Sequence, residues 1–138
     1  MIVLLDTCVI LDALQNRVPF SDDAQKIFLA VANKKIEACI TAKSVADIYY
    51  LTRKMTHSDK MSREILAKLF TLFSLLDTTS KDCKDALFSP ITDYEDAIMV
   101  ETAKNAAVDY IVTRNIKDYA KAPISVITPA ELLDYMAS

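Results

Sequence analysis

Glycine is missing from all 138 residues. Without it neither the P-loop nor the dinucleotide fingerprint can be built, so Gly-rich phosphate cradles are excluded as a route to function. Wherever the backbone needs a positive φ, another residue must supply it. Asn33 and Asn105, close to expected helix ends, are the expected substitutes. Histidine occurs once, as His57. That leaves zinc sites of the His-Glu-x-x-His type, and Ser–His–Asp or Cys–His catalysis, with almost nothing to stand on. The three cysteines (Cys8, Cys39, Cys83) are odd in number, widely spaced and free of any Cys-x-x-Cys pair. Reduced, mostly buried thiols are expected rather than a disulfide frame or a zinc site. No apolar run approaches the ~18 residues of a membrane span, and the amino end lacks a signal peptide's basic region and cleavage site. The expectation is a soluble cytoplasmic protein with no membrane partner. Excess positive charge is missing too: the net charge is −3 and the pI about 5.1. Strong non-specific nucleic-acid affinity is therefore not expected. A nucleic-acid substrate stays open, because divalent cations neutralise carboxylate clusters and basic side chains can line one face.

What is present is a hydrophobic fraction of 52%, enough for one domain with a real core over residues 1–138. Ile2-Val3-Leu4-Leu5 reads as a short strand buried on both faces, with Asp6 where it runs out. Further strands are expected at 36–40, 110–113 and 125–128, with a short extended segment near 75–78. Helices are expected at 8–14, from Ser21, from Thr41 or Ser44, at 62–76, at 81–88, at 97–107 and from Pro129 to about Met136. Ala97, Ala103 and Ala106 suit close packing of one of them. Strands alternate with helices, so the fold class is α/β. The economical architecture is a parallel sheet with right-handed crossovers and helices on both faces.

Four acids fall beside element ends: Asp6 after the first strand, Asp47 early in the helix after the second, Asp96 in the first turn after Pro90, and Asp118 after the 110–113 strand. In a parallel sheet these ends share one edge, where open α/β sheets bind ligands. Converging carboxylates repel and raise each other's pKa unless a cation joins them. Oxygen ligands without His or Cys point to Mg²⁺ or Mn²⁺, the ions used for hydrolysing phosphodiesters. Each acid also has a plainer role. Asp6 can cap a helix, Asp93, Glu95 and Asp96 can complement a helix dipole, Asp118 can cap a turn, and Asp47 can be a solvated helix residue. Asp12, Asp22, Asp59, Asp77 and Asp85 are expected to be such ordinary acids. Lys43, Arg53, Lys54, Arg114 and Lys117 are a scattered basic set able to approach phosphates. A phosphatase with Asp6 as covalent nucleophile would need a second acid two residues on, and that position is Cys8.

The segments Leu4–Asp12, Ser44–Tyr50, Asp93–Ala97, Val112–Tyr119 and Val126–Leu133 together resemble, in order and spacing, the PIN-domain family. The resemblance implies a three-layer α/β/α sandwich with a central parallel sheet of about four to five strands. It also implies metal-dependent endoribonuclease activity, and, as in small VapC-type members, a toxin of a toxin–antitoxin module. Such members are usually homodimers held in check by an antitoxin protein. Carried over by position, the resemblance implies that Asp6 and Asp96 would ligate the principal ion, with Asp47 and Asp118 as further catalytic acids binding directly or through water. Thr113, Asn115 and Arg114 would position RNA or ligands. Three positions depart from the family pattern: Asp47 stands where glutamate is common, Asn115 where a fourth acid is common, and Cys8 where asparagine is common. Those departures motivate an alternative, a catalytically weak or inactive PIN-like domain that acts by binding RNA or protein.

Overall fold

The computed structural model describes residues 1–138. Strands β1 (Ile2–Leu5), β2 (Glu37–Thr41), β3 (Ser74–Leu76), β4 (Tyr110–Val112) and β5 (Val126–Ile127) form one sheet in the order β3-β2-β1-β4-β5. Every pairing is parallel. Helices α1 (Thr7–Leu14), α2 (Ser21–Ala32), α3 (Ala42–Thr56), α4 (Asp59–Leu72), α5 (Ser80–Asp85), α6 (Tyr94–Ala106) and α7 (Pro129–Ala137) make the crossovers, with 3₁₀ turns at Ala86–Phe88 and Ile116–Tyr119. None is long and apolar enough to cross a membrane.

The strand period of two sorts side chains into two cores. Val3 and Leu5 join Ile40, Ile10, Ile27, Ile48 and Leu132 on one face, packing against α1–α4 and α7. Leu4 joins Cys39, Ile111, Val100 and Ala103 on the other, under α6. This is the three-layer α/β/α sandwich, with β1 at its centre. Val3, Leu4 and Leu5 are fully buried, each stabilising the fold by about 1.5–3 kcal/mol. Ala97 and Ala103 let α6 lie close to the sheet, whereas Ala106, expected to help, is exposed.

Helix starts follow local chemistry. Thr41 accepts from Ser44 N and Ser58 from Met61 N, while Thr79/Asp82 and Thr128/Glu131 form reciprocal capping boxes. The left-handed positions do not fall where expected. Asn33 has φ −85° and Asn105 lies inside α6. Lys34, His57 and Ala107 adopt positive φ at or just past helix ends, and Asn16 does so after α1. The cap geometry fixes the position, and here it falls one residue after Asn33 and two after Asn105. The helix expected over 62–76 stops at Leu72. Phe73 turns extended (φ −115°, ψ 140°), and β3 then pairs with β2, Ile40 opposite Leu75.

Candidate functional site

Asp6 leaves β1 as its neighbours β2 and β4 also end, and its N–H bonds to Val112 O at 3.0 Å. Its plainer role is real: Oδ1 accepts from Thr7 N at 2.8 Å, capping α1. The other oxygen, Oδ2, collects three donors. Thr113 Oγ1 lies at 2.8 Å, the Tyr119 hydroxyl at 3.2 Å and Cys8 Sγ at 3.7 Å. Thr113 is fully buried and is held in turn by Asn115 N at 3.1 Å.

Asp96 arrives from the other face of the sheet. Asp93 caps α6 through Asp96 N at 3.0 Å, which sets the first turn of that helix beside β1 and β4. Asp96 Oδ1 accepts from the same Tyr119 hydroxyl at 3.1 Å. The two acids, 90 positions apart by number, thus meet on one phenol. Burial, with the charges of Asp93, Asp6 and Asp118 added, pushes the Asp96 carboxyl up to about 6, although the Tyr119 bond pulls the other way. Burial, then the Asp6 charge, raises the Tyr119 phenol well above its ordinary range, so it stays a donor. The Cys8 thiol is also raised, by burial first and Asp6 second, and does not compete as a thiolate.

The other expected site residues divide. Asp118 is exposed on the Ile116–Tyr119 turn, with its charge felt at Asp96 but no bond between them. Asn115 contributes its backbone N–H, and no side-chain bond ties it to the acids. Asp47 is exposed in the second turn of α3, where Lys43 stands 3.9 Å from it and 3.7 Å from Glu95. Lys43 thereby links the α3 rim to the start of α6. Arg114 turns away from the acids. It donates to Asp12 through Nε at 2.8 Å and Nη2 at 3.3 Å, and stacks 4.3 Å over the Phe20 ring. This corrects the reading of Asp12 as an ordinary acid: it is 1% exposed and neutralised by Arg114, with Arg17 at 3.8 Å. The residue missed altogether is Tyr119. The only hint in sequence was a hydroxyl-bearing aromatic one position after Asp118.

The donor set suits a hard divalent cation, since it offers carboxylate oxygens and no imidazole or thiolate. A carboxyl lifted by burial and by like charges is the group that a cation would relieve. No three acids, cysteines or histidines gather closely enough for a ready-made metal cluster. The shared unit is therefore the Asp6/Asp96 pair, with Asp118 and Asp47 outside it.

Three solved structures share this fold over nearly their whole length. A chain of VapBC2 from Rickettsia felis, bound to a DNA fragment from its promoter, is 16% identical with a TM-score of 0.65, covering 93% of this chain and 98% of that one. FitAcB from Neisseria gonorrhoeae is 19% identical at 0.67, with coverages of 93% and 98%. A toxin–antitoxin complex from Klebsiella pneumoniae is 23% identical at 0.65, with coverages of 92% and 97%. No curated protein matches by sequence. The family model described as the PIN domain matches residues 2–117, and the chain belongs to the PIN-domain family.

Proposed function

We propose that residues 1–138 form a single domain that is a Mg²⁺- or Mn²⁺-dependent endoribonuclease, the toxin of a toxin–antitoxin module. The observation that carries this reading is the Asp6/Asp96 pair, joined through one buried hydroxyl at the carboxyl edge of the sheet, with the Asp96 carboxyl raised. Asp6 and Asp96 hold the ion, and Asp118 and Asp47 act from the rim as outer acids. Thr113 fixes the rotamer of Asp6, while Asn115 and Lys43 face the RNA backbone. Arg114 acts on RNA only indirectly, by holding its loop against Asp12. When bound, the cation supplies the charge that offsets the phosphate and the acidity that makes water a nucleophile at neutral pH. Kinship to the PIN domain supports the activity, and likeness to chains of toxin–antitoxin complexes supports a cytoplasmic toxin with an antitoxin partner. A homodimer is part of the same reading, testable by light scattering.

The test is cleavage of a mixed-sequence RNA pool by wild type and Asp6→Asn purified side by side, with Mg²⁺, Mn²⁺ or EDTA. Wild type is expected to cleave only with metal, and Asp6→Asn is expected to be folded and inactive. Equal activity of the two, or cleavage in EDTA, refutes the proposal. One observation favours the weak or inactive alternative: no third acid gathers with Asp6 and Asp96, and the exposed Asp47 stands beside Lys43 instead, so a pair of acids replaces a cluster. A wild type that neither cleaves the pool nor releases heat with Mn²⁺ supports that alternative.

A further inference from the structure

The Tyr119 hydroxyl has one proton and two carboxylate acceptors at nearly equal distance, Asp6 Oδ2 at 3.2 Å and Asp96 Oδ1 at 3.1 Å. A phenol can donate to only one acceptor in full strength at a time. The ring behind it is 2% exposed and packs in the core beneath α6, and the hydroxyl also touches Met99 Sδ at 3.6 Å. It therefore has no room to swing away. The donors around the two acids are distributed unequally. Asp6 accepts from four donors, Thr7 N on Oδ1 and Thr113, Cys8 and Tyr119 on Oδ2, so its remaining lone pair is on Oδ1. Asp96 has Tyr119 as its one side-chain donor, on Oδ1.

From this arrangement we infer that Tyr119 is a positioning residue for the cation. Its hydroxyl tethers one oxygen of each carboxylate, setting their separation and leaving Asp96 Oδ2 to face the ion. This rests on the metal-dependent reading above and adds to it a residue that touches neither the ion nor RNA. Donors behind ligating groups fix ligand orientation, and losing one typically weakens metal binding about 10–100-fold.

Tyr119→Phe keeps the ring in the core and removes only the O–H. Calorimetric titration with Mn²⁺ is the readout, run on wild type, Tyr119→Phe and Asp96→Asn, each checked for a cooperative melt. The expected result is a folded Tyr119→Phe whose Mn²⁺ affinity is about tenfold or more below wild type. RNA cleavage by that variant should recover toward wild type as Mn²⁺ is raised, because the loss lies in holding the ion. Asp96→Asn should show no recovery. Unchanged affinity in Tyr119→Phe overturns the inference while leaving the nuclease reading intact. Tighter binding also overturns it, since the hydroxyl would then be competing with the ion. A wild type that binds no Mn²⁺ overturns both.

Discussion

Asp96→Asn should make the metal-free protein more stable, and the reason is electrostatic. The Asp96 carboxyl sits at about 6 rather than 3.8, chiefly because burial disfavours its charge. The folded state therefore takes up a proton more readily than the unfolded chain, and the ionised group at pH 7.5 counts against the fold. Each pKa unit corresponds to ~1.4 kcal/mol, so the lift sets a ceiling of roughly 3 kcal/mol. Asp96 is only partly buried, and solvent screening brings the expected gain down to roughly 1 kcal/mol. Urea denaturation in EDTA at pH 7.5 should show that gain as a midpoint about 0.5 M higher for Asp96→Asn. As pH falls from about 6 toward 3.8, Asp96 protonates in the folded state first and then in both states, and the gain should vanish. Adding Mg²⁺ should reverse the ranking, because only wild type has the pair that binds it. A dipole-complementing acid in the first turn of a helix predicts the opposite sign, a loss of ~0.3–1 kcal/mol on neutralisation. A less stable Asp96→Asn at pH 7.5 would refute the reasoning.

Other perturbations probe the surrounding groups. Arg114→Ala strips the bidentate partner from the buried Asp12 carboxylate. It should cost about 2 kcal/mol, short of the ~3–5 for a fully buried pair because Arg17 stays 3.8 Å away, as thermal or urea melts can show. Asp47→Ala breaks only a 3.9 Å surface pair and should change stability by less than ~0.5 kcal/mol. A fall in its cleavage rate would then be assignable to the site. Burial pushes the Cys39 thiol up to about 12, so it should stay unmodified by an aromatic disulfide reagent at pH 8 in the folded protein. It should react once urea unfolds the chain.

The parts of this molecule legible in sequence are those written in local chemistry. Four apolar residues followed by Asp6 gave a strand, buried from Val3 onward, and its end, Thr41 marked a helix start, and Thr128-Pro129 marked the last. Ser58, read as a break, instead caps α4, which begins three residues before its expected start at Ser62. Asp6 and Asp96 were legible as a pair because parallel strands place their ends on one edge. Tyr119 was hidden because its hydroxyl reaches the acids only after the Ile116–Tyr119 turn folds back, and Asp6 is 113 positions away. Asp12 misled for a similar reason. It lies among the buried residues of α1, and its partner Arg114 is 102 positions distant. The apolar stripe running to Leu76 was ambiguous on physical grounds, since a short apolar run suits a buried helix turn or a strand equally well.

The most direct test of the central claim is an anomalous difference map from crystals soaked in Mn²⁺. A peak is expected between the carboxylates of Asp6 and Asp96, absent from crystals of Asp6→Asn. A peak elsewhere, or none at that edge of the sheet with Mn²⁺ in excess, would contradict it.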